Sequence, residues 1–255
     1  MYLRDVHAEA SLPKLRQLIR KNPLGVLTTA ISSKTFPKIL SSHIPFLLDI
    51  QDEESETELG VLRCHLARMN PQSKTMIEEI ESRSATTNAQ FLEEEVLVLF
   101  TATAQHYVTP KFYKETKPTT GKVVPTWNYA ATQVYGRAKI YFDAKSPETR
   151  DFLSKQISDL SQYVESSVMG YTGVDGKPST WKVSDAPDRY IDLLQKSIIG
   201  MEIEIDRMEG KFKMSQELGE GDRKGVIQGF SDVGSDVGLQ IAQLVKERGE
   251  LKVAK

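Results

Sequence analysis

Within KVVPTWNY, the stretch from Lys122 to Tyr129, an ammonium, a rigid turn residue, a hydroxyl, an indole, an amide and a phenol share eight positions. A second polar group, His65, Arg68 and Asn70, falls in HLARMNP, and His43 follows Ser42 in SSHIPFLLD. Each residue alone has a plain structural use. His43 could be a hydrogen-bonded core histidine, Arg68 a surface cation, Asn70 a helix N-cap and Trp127 core filler. Together they suit an anionic, planar, heteroaromatic ligand. Arg68 and a serine or threonine hydroxyl would hold a phosphate, Trp127 would wall a ring, and Lys122 or Asn128 would bond its carbonyl edge. Asn70 followed by Pro71 marks a helix N-terminus, whose free N–H groups and dipole favour an anion beside Arg68.

Other chemistries find less support. Cys64 and His65 are neighbours on a strand and point to opposite faces, so they cannot easily share an ion; one cysteine and four histidines leave little material for a metal site. There is no G-x-S-x-G elbow, and GEGDRKG, at 219–225, lacks Walker spacing and a preceding apolar strand, so it reads as a turn. A net charge of −2 lacks the basic excess of a nucleic-acid binder. No apolar run approaches the roughly 20 residues of a membrane span, and the first ten residues lack the core of a secretory signal. Cytosol is the expected compartment, with the nucleus left open.

These groups need strands to position them. Alternation or apolar runs predict strands over 24–30, 38–49, 59–68, 95–103 and 198–214. Another begins at Val134, with Val134, Gly136, Ala138, Ile140 and Phe142 on one face and Tyr135, Arg137, Lys139 and Tyr141 on the other. The 122–129 group therefore stands at the mouth of that strand. Leu12, Leu15, Leu18 and Ile19 predict a helix ended by Asn22-Pro23, and Ser146-Pro147 opens a second amphipathic one. A third starts near Ser184-Asp185, and Leu239, Ile241, Leu244 and Val245 offer a short last one. Two acidic stretches, 51–58 and 78–95, read as solvated loops or helix ends inserted into a domain over 1–230, with 231–255 as a helical tail. Six antiparallel strands with helices between them avoid exposed edges by closing, so the fold class is α+β with a β-barrel core.

SSHIPFLLD, LRCHLARMNP, TGKVVPTWNYA, WKVSDAP, IIGMEIEI and EGKFKMSQ, in that order, resemble the signature blocks of PaiB-type FMN-binding proteins, often labelled negative transcriptional regulators. The resemblance spans roughly residues 1–230. It implies an FMN-binding split β-barrel with peripheral helices, a homodimer and a flavin site at the subunit interface. It also implies Ser42, His43, His65, Arg68, Asn70, Lys122, Val123, Thr126, Trp127 and Asn128 as flavin-pocket residues. Lys211, Lys213 and Gln216 of the last block would reach a site on the other subunit. Three functions stay open. They are an FMN-dependent oxidoreductase with a nicotinamide cofactor as electron donor, a flavin- or redox-responsive regulator, and a haem-handling protein using His43, His65 or His106. Near-neutral charge and the acidic stretches speak against direct DNA contact.

Overall fold

The computed structural model describes residues 1–84 and 90–253. Its strands, in chain order, are β1 Ala8–Glu9, β2 Leu24–Ala30, β3 Ile39–Pro45, β4 Leu47–Asp49, β5 Val61–Ala67, β6 Val96–Thr101, β7 His106–Val108, β8 Thr126–Tyr141 and β9 Ile198–Lys213. The α-helices are α1 Leu12–Lys21, α2 Pro71–Ser84, α3 Thr116–Thr119, α4 Pro147–Tyr163, α5 Asp188–Lys196, α6 Glu220–Val233 and α7 Asp236–Val253. The chain divides into two compact units: a first of Met1–Asn22, Phe100–Gln133 and Met208–Lys255, and a second of Pro23–Leu99 and Val134–Arg207.

In the second unit β2 pairs antiparallel with β3, from Leu24↔Pro45 to Ala30↔Ile39, and with β6. β5 pairs with β9, from Val61↔Glu204 to Ala67↔Ile198, and with β4. The strand order is β3-β2-β6-β8-β9-β5-β4. Its two end strands are consecutive in the chain, separated only by Phe46. Pro45 and Leu47 are two chain steps apart, about 7 Å, so the sheet curls until its two end strands approach at that corner. That curl gives the sheet the half-barrel form of a split barrel, in line with the α+β reading. Phe46 fixes the corner: its N–H donates to the Pro23 carbonyl at 2.9 Å and its ring is buried. Where β8 crosses β9, a Cβ on Gly136 would lie 2.1 Å from the Glu204 carbonyl oxygen, so only glycine allows that approach. Leu27, Leu62, Leu66, Val98, Ala138, Ile199, Met201 and Ile203 fill this core.

The first unit is mainly helical. α1 buries Leu15, Leu18 and Ile19, and β1 pairs with Gly210 and Lys211 of β9. α6 and α7 pack on each other across a two-residue joint in which Gly234 takes φ +67°. Phe100, Val108, Met214, Val226, Phe230, Ile241 and Val245 are buried in this unit. No helix among the described residues is long and apolar enough to cross a membrane.

Several expectations change. The strand expected over 38–49 is two, because Phe46 turns away. β8 starts at Thr126 rather than Val134, so Thr126 to Tyr129 of the polar group lie within the strand, while Lys122 to Pro125 precede it. GEGDRKG is no turn: its Glu220 opens α6. The acidic 51–58 stretch is the expected solvated turn, with the Glu58 carboxylate accepting the N–H groups of Gln51 and Asp52 at 2.8 Å each. The 78–95 stretch is different. Its first part continues α2 and buries Ile80, Leu92 is buried, and 85–89 lie outside the described residues.

Candidate functional site

The thirteen residues implied for the pocket fall into two groups, one in each unit. In the second unit, β3 carries Ser42 and His43, β5 carries His65, and the turn after β5 carries Arg68 and Asn70. Asn70 is the N-cap that Asn-Pro predicts. Its Oδ1 accepts the Gln72 N–H at 2.9 Å, and its Nδ2 donates to Ser42 Oγ at 3.0 Å, tying the head of α2 to β3. Arg68 does not stand free for a phosphate. Its Nε donates to the Lys196 carbonyl at 3.3 Å and its Nη2 to the Phe142 carbonyl, so it clamps the ends of α5 and β8.

The two histidines are left open. His43 is exposed on β3. Near it, Thr28 Oγ1 and Ser41 Oγ lie 2.8 Å apart across the β2–β3 pair. His65 is half-buried, and its Nδ1 is buried without a hydrogen-bond partner. Burial pushes the His65 imidazole below the usual histidine range, so the ring is neutral at pH 7. A neutral imidazole offers one donor and one acceptor to whatever meets it.

In the first unit, Thr126, Trp127 and Asn128 open β8 and pair with β7 through His106↔Asn128 and Tyr107↔Trp127. Asn128 is fully buried and exchanges hydrogen bonds with Ser215, at 3.0 Å from Nδ2 and 3.1 Å to Oδ1. Ser215 sits at φ +58°, a left-handed position unusual for serine. Gln216 is likewise used by the fold, its Oε1 accepting the Met214 N–H at 2.6 Å. Lys213 donates to Thr126 Oγ1 and to the Trp127 carbonyl at 3.1 Å, with Glu217 3.8 Å away. Burial lowers the proton affinity of Lys213, Glu217 works against that, and Lys211 and Arg4 add to it. Lys211 lies 5.7 Å from the ring centres of both Tyr2 and Tyr129.

What stays open here is Trp127, 49% exposed and edge-on to Tyr107, together with half-buried Val123 and the exposed Lys122, whose ammonium has no partner among the described residues. His106 points its Nδ1 at the Tyr107 carbonyl, 2.8 Å away.

The residues that brace these groups carry no local mark of that role. Gln72 is buried and its Nε2 donates to Thr29 Oγ1 at 3.1 Å, Leu40 O at 3.1 Å and Leu27 O at 3.3 Å. Buried His7 meets Glu217 at 3.0 Å. Burial alone would raise the Glu217 carboxyl, but its own backbone amide, His7 and the Lys213 charge hold it below the usual range. Asp222 accepts the N–H groups of Glu115 and Thr116, and Glu115 in turn accepts the Gly221 N–H at 3.0 Å, so α3 and α6 cap each other.

Residues 1–207 match the protein family described as "Putative FMN-binding domain". The chain belongs to this FMN-binding family. FMN is accordingly its cofactor. Its relatives include an uncharacterized protein of Aspergillus fumigatus, 55% identical over 259 residues and 99% of both chains. Another, from Emericella nidulans, is 58% identical over 254 residues and again 99% of both. A more distant relative, the protease synthase and sporulation protein PAI 2 of Bacillus subtilis, is 22% identical over 97% of this chain and 98% of its own. The donor set fits a flavin of this family. The open groups of the second unit offer what the polar edge of a planar ring requires: an orphaned neutral imidazole at His65, the exposed imidazole of His43 and the Ser42 hydroxyl.

Proposed function

We propose that the protein is an FMN-dependent oxidoreductase whose second unit holds the flavin at β3, β5 and the head of α2. The observation that carries this reading is His65, whose Nδ1 is buried, neutral and unpartnered, a state that costs free energy unless a ligand supplies the missing bond. Ser42, fixed by Asn70, and the exposed His43 would hold the polar edge of the ring. The N-terminal turn of α2, rather than Arg68, would face the phosphate, since helix N-termini suit anions and the Arg68 guanidinium bonds two carbonyls. In the first unit Lys122 and Trp127 are the members free to meet a ligand, whereas Thr126, Asn128, Lys213 and Gln216 brace the strand that carries them. Lys211 bonds the Tyr2 carbonyl at 3.1 Å.

Bound FMN supplies the redox chemistry; the chain's residues bind, orient and shield it. The electron donor in this reading is a nicotinamide nucleotide, and the assembly is a homodimer. The test is a visible spectrum of the purified protein before and after FMN is added and the excess removed by gel filtration, followed by anaerobic addition of NADH or NADPH. A retained flavin spectrum that bleaches supports the reading. Retention without bleaching by either nucleotide overturns the oxidoreductase assignment and leaves FMN binding intact. His65→Ala is expected to weaken retention about tenfold, the loss of one well-placed hydrogen bond in a buried site.

A further inference from the structure

A hollow of about 720 Å³, a size typical of small-molecule sites, lies wholly within the first unit. Alanines make it. Ala102, Ala104 and Ala130 line it, and the Ala102 N–H donates to the Ala130 carbonyl at 2.9 Å, so two small side chains stand side by side where larger apolar ones would fill the space. α7 forms another wall. Ile241, Ala242 and Val245 on one face of this helix are buried, yet Leu239, Leu244 and Leu251 line the hollow, with Leu239 50% and Leu251 46% exposed. A helix with apolar residues on two sides needs cover on both.

Charge at the rim, three cations against the one carboxylate of Glu247, which accepts from Gln243 Nε2 at 2.8 Å, indicates what gives that cover. Lys14 and Lys21 of α1 both line the hollow, seven residues apart and so on one helix face. Arg248, also at the rim, is held by Glu9 at 2.5 Å and lies over the Phe212 ring at 4.0 Å; Lys14 is 3.7 Å from the same Glu9. Lys21 has no partner among the described residues. α7 lies outside residues 1–207, so the hollow depends on a part of the chain that the family match does not reach.

We propose that this hollow binds a single-tailed amphiphile, its hydrocarbon chain over the alanines and α7 leucines and its carboxylate at Lys21. The site is independent of the flavin reading. The test is calorimetric titration of the full chain with sodium dodecanoate below its micelle concentration, with and without saturating FMN. Saturable one-to-one binding, equal in both, is expected. Shortening the tail is expected to weaken it about fourfold per methylene removed. Ala130→Leu, which fills the hollow, and Leu239→Lys, at an exposed position that leaves the core intact, are each expected to weaken it about tenfold or more. Lys21→Glu is expected to weaken dodecanoate while sparing dodecanol. Absence of saturable binding, affinity indifferent to tail length and to Leu239→Lys, or displacement of dodecanoate by FMN would each overturn the proposal.

Discussion

The polar group of the second unit and that of the first differ in how much hydrogen-bonding capacity the fold already uses. Around β3 and β5, the amide of Asn70 and the guanidinium of Arg68 are engaged, but both imidazoles remain available. Around the start of β8 nearly everything polar is engaged: Asn128 with Ser215, Gln216 with its own turn, Lys213 with Thr126 and the Trp127 carbonyl. Residue type alone selects both groups equally. What distinguishes the two groups is the bonding capacity left after folding, and that difference is the ground on which the flavin ring is proposed for the second unit.

Variants can break this distinction. The largest effect is expected from Asn128→Ala, which strands the buried Ser215 hydroxyl and should cost about 2 kcal/mol in urea unfolding. If Asn128 instead met the flavin, FMN affinity would fall while stability held. Asn70→Ala removes an N-cap and the bond to Ser42, for about 1 kcal/mol by the same assay. Trp127→Ala touches an open, half-exposed residue and is expected to change stability by less than about 0.5 kcal/mol. A large loss of stability would make Trp127 a brace.

The smallest effect concerns acid. The Glu217 carboxyl is held below its unfolded value, so its contribution is present above the ordinary carboxylate range near pH 4.5 and is lost as pH falls through the depressed folded value. Glu217→Gln should lower stability at neutral pH and flatten the acid limb of the stability curve, measured as Tm from pH 7 down to pH 3. An unchanged acid limb would show that the His7–Glu217–Lys213 contacts do not brace the first unit.

Strands whose two faces differ were readable from the sequence. β2 runs over the expected 24–30, and β9 begins where its apolar run begins. The first half of β8 was hidden because Asn128, Ala130, Ala131 and Thr132 are all buried, so alternation there is masked by tertiary packing. β7 is three residues long and leaves no periodic trace. The break at Phe46 depends on a bond to Pro23, which no local pattern encodes. For the sites, residue types single out His65 and Trp127, and the fold leaves both with capacity to spare, His65 through its unpartnered Nδ1 and Trp127 through its exposure. The clamp made by Arg68 was invisible because its acceptors lie 74 and 128 residues away. Gln72, His7 and Glu217 escaped for the same reason, since each has a bonding partner at least 43 residues distant.

The single residue between β3 and β4 also governs how the chain tolerates change. An insertion at an ordinary surface turn lengthens a loop at little cost. At Phe46 one added residue would move β4 by one step against β5 and turn Leu47 and Leu48 to the wrong faces, or else prise the seam open. Evolution can therefore lengthen this protein at 51–58, where the acidic turn already hangs in solvent, but the seam at Phe46 is held to a count of one.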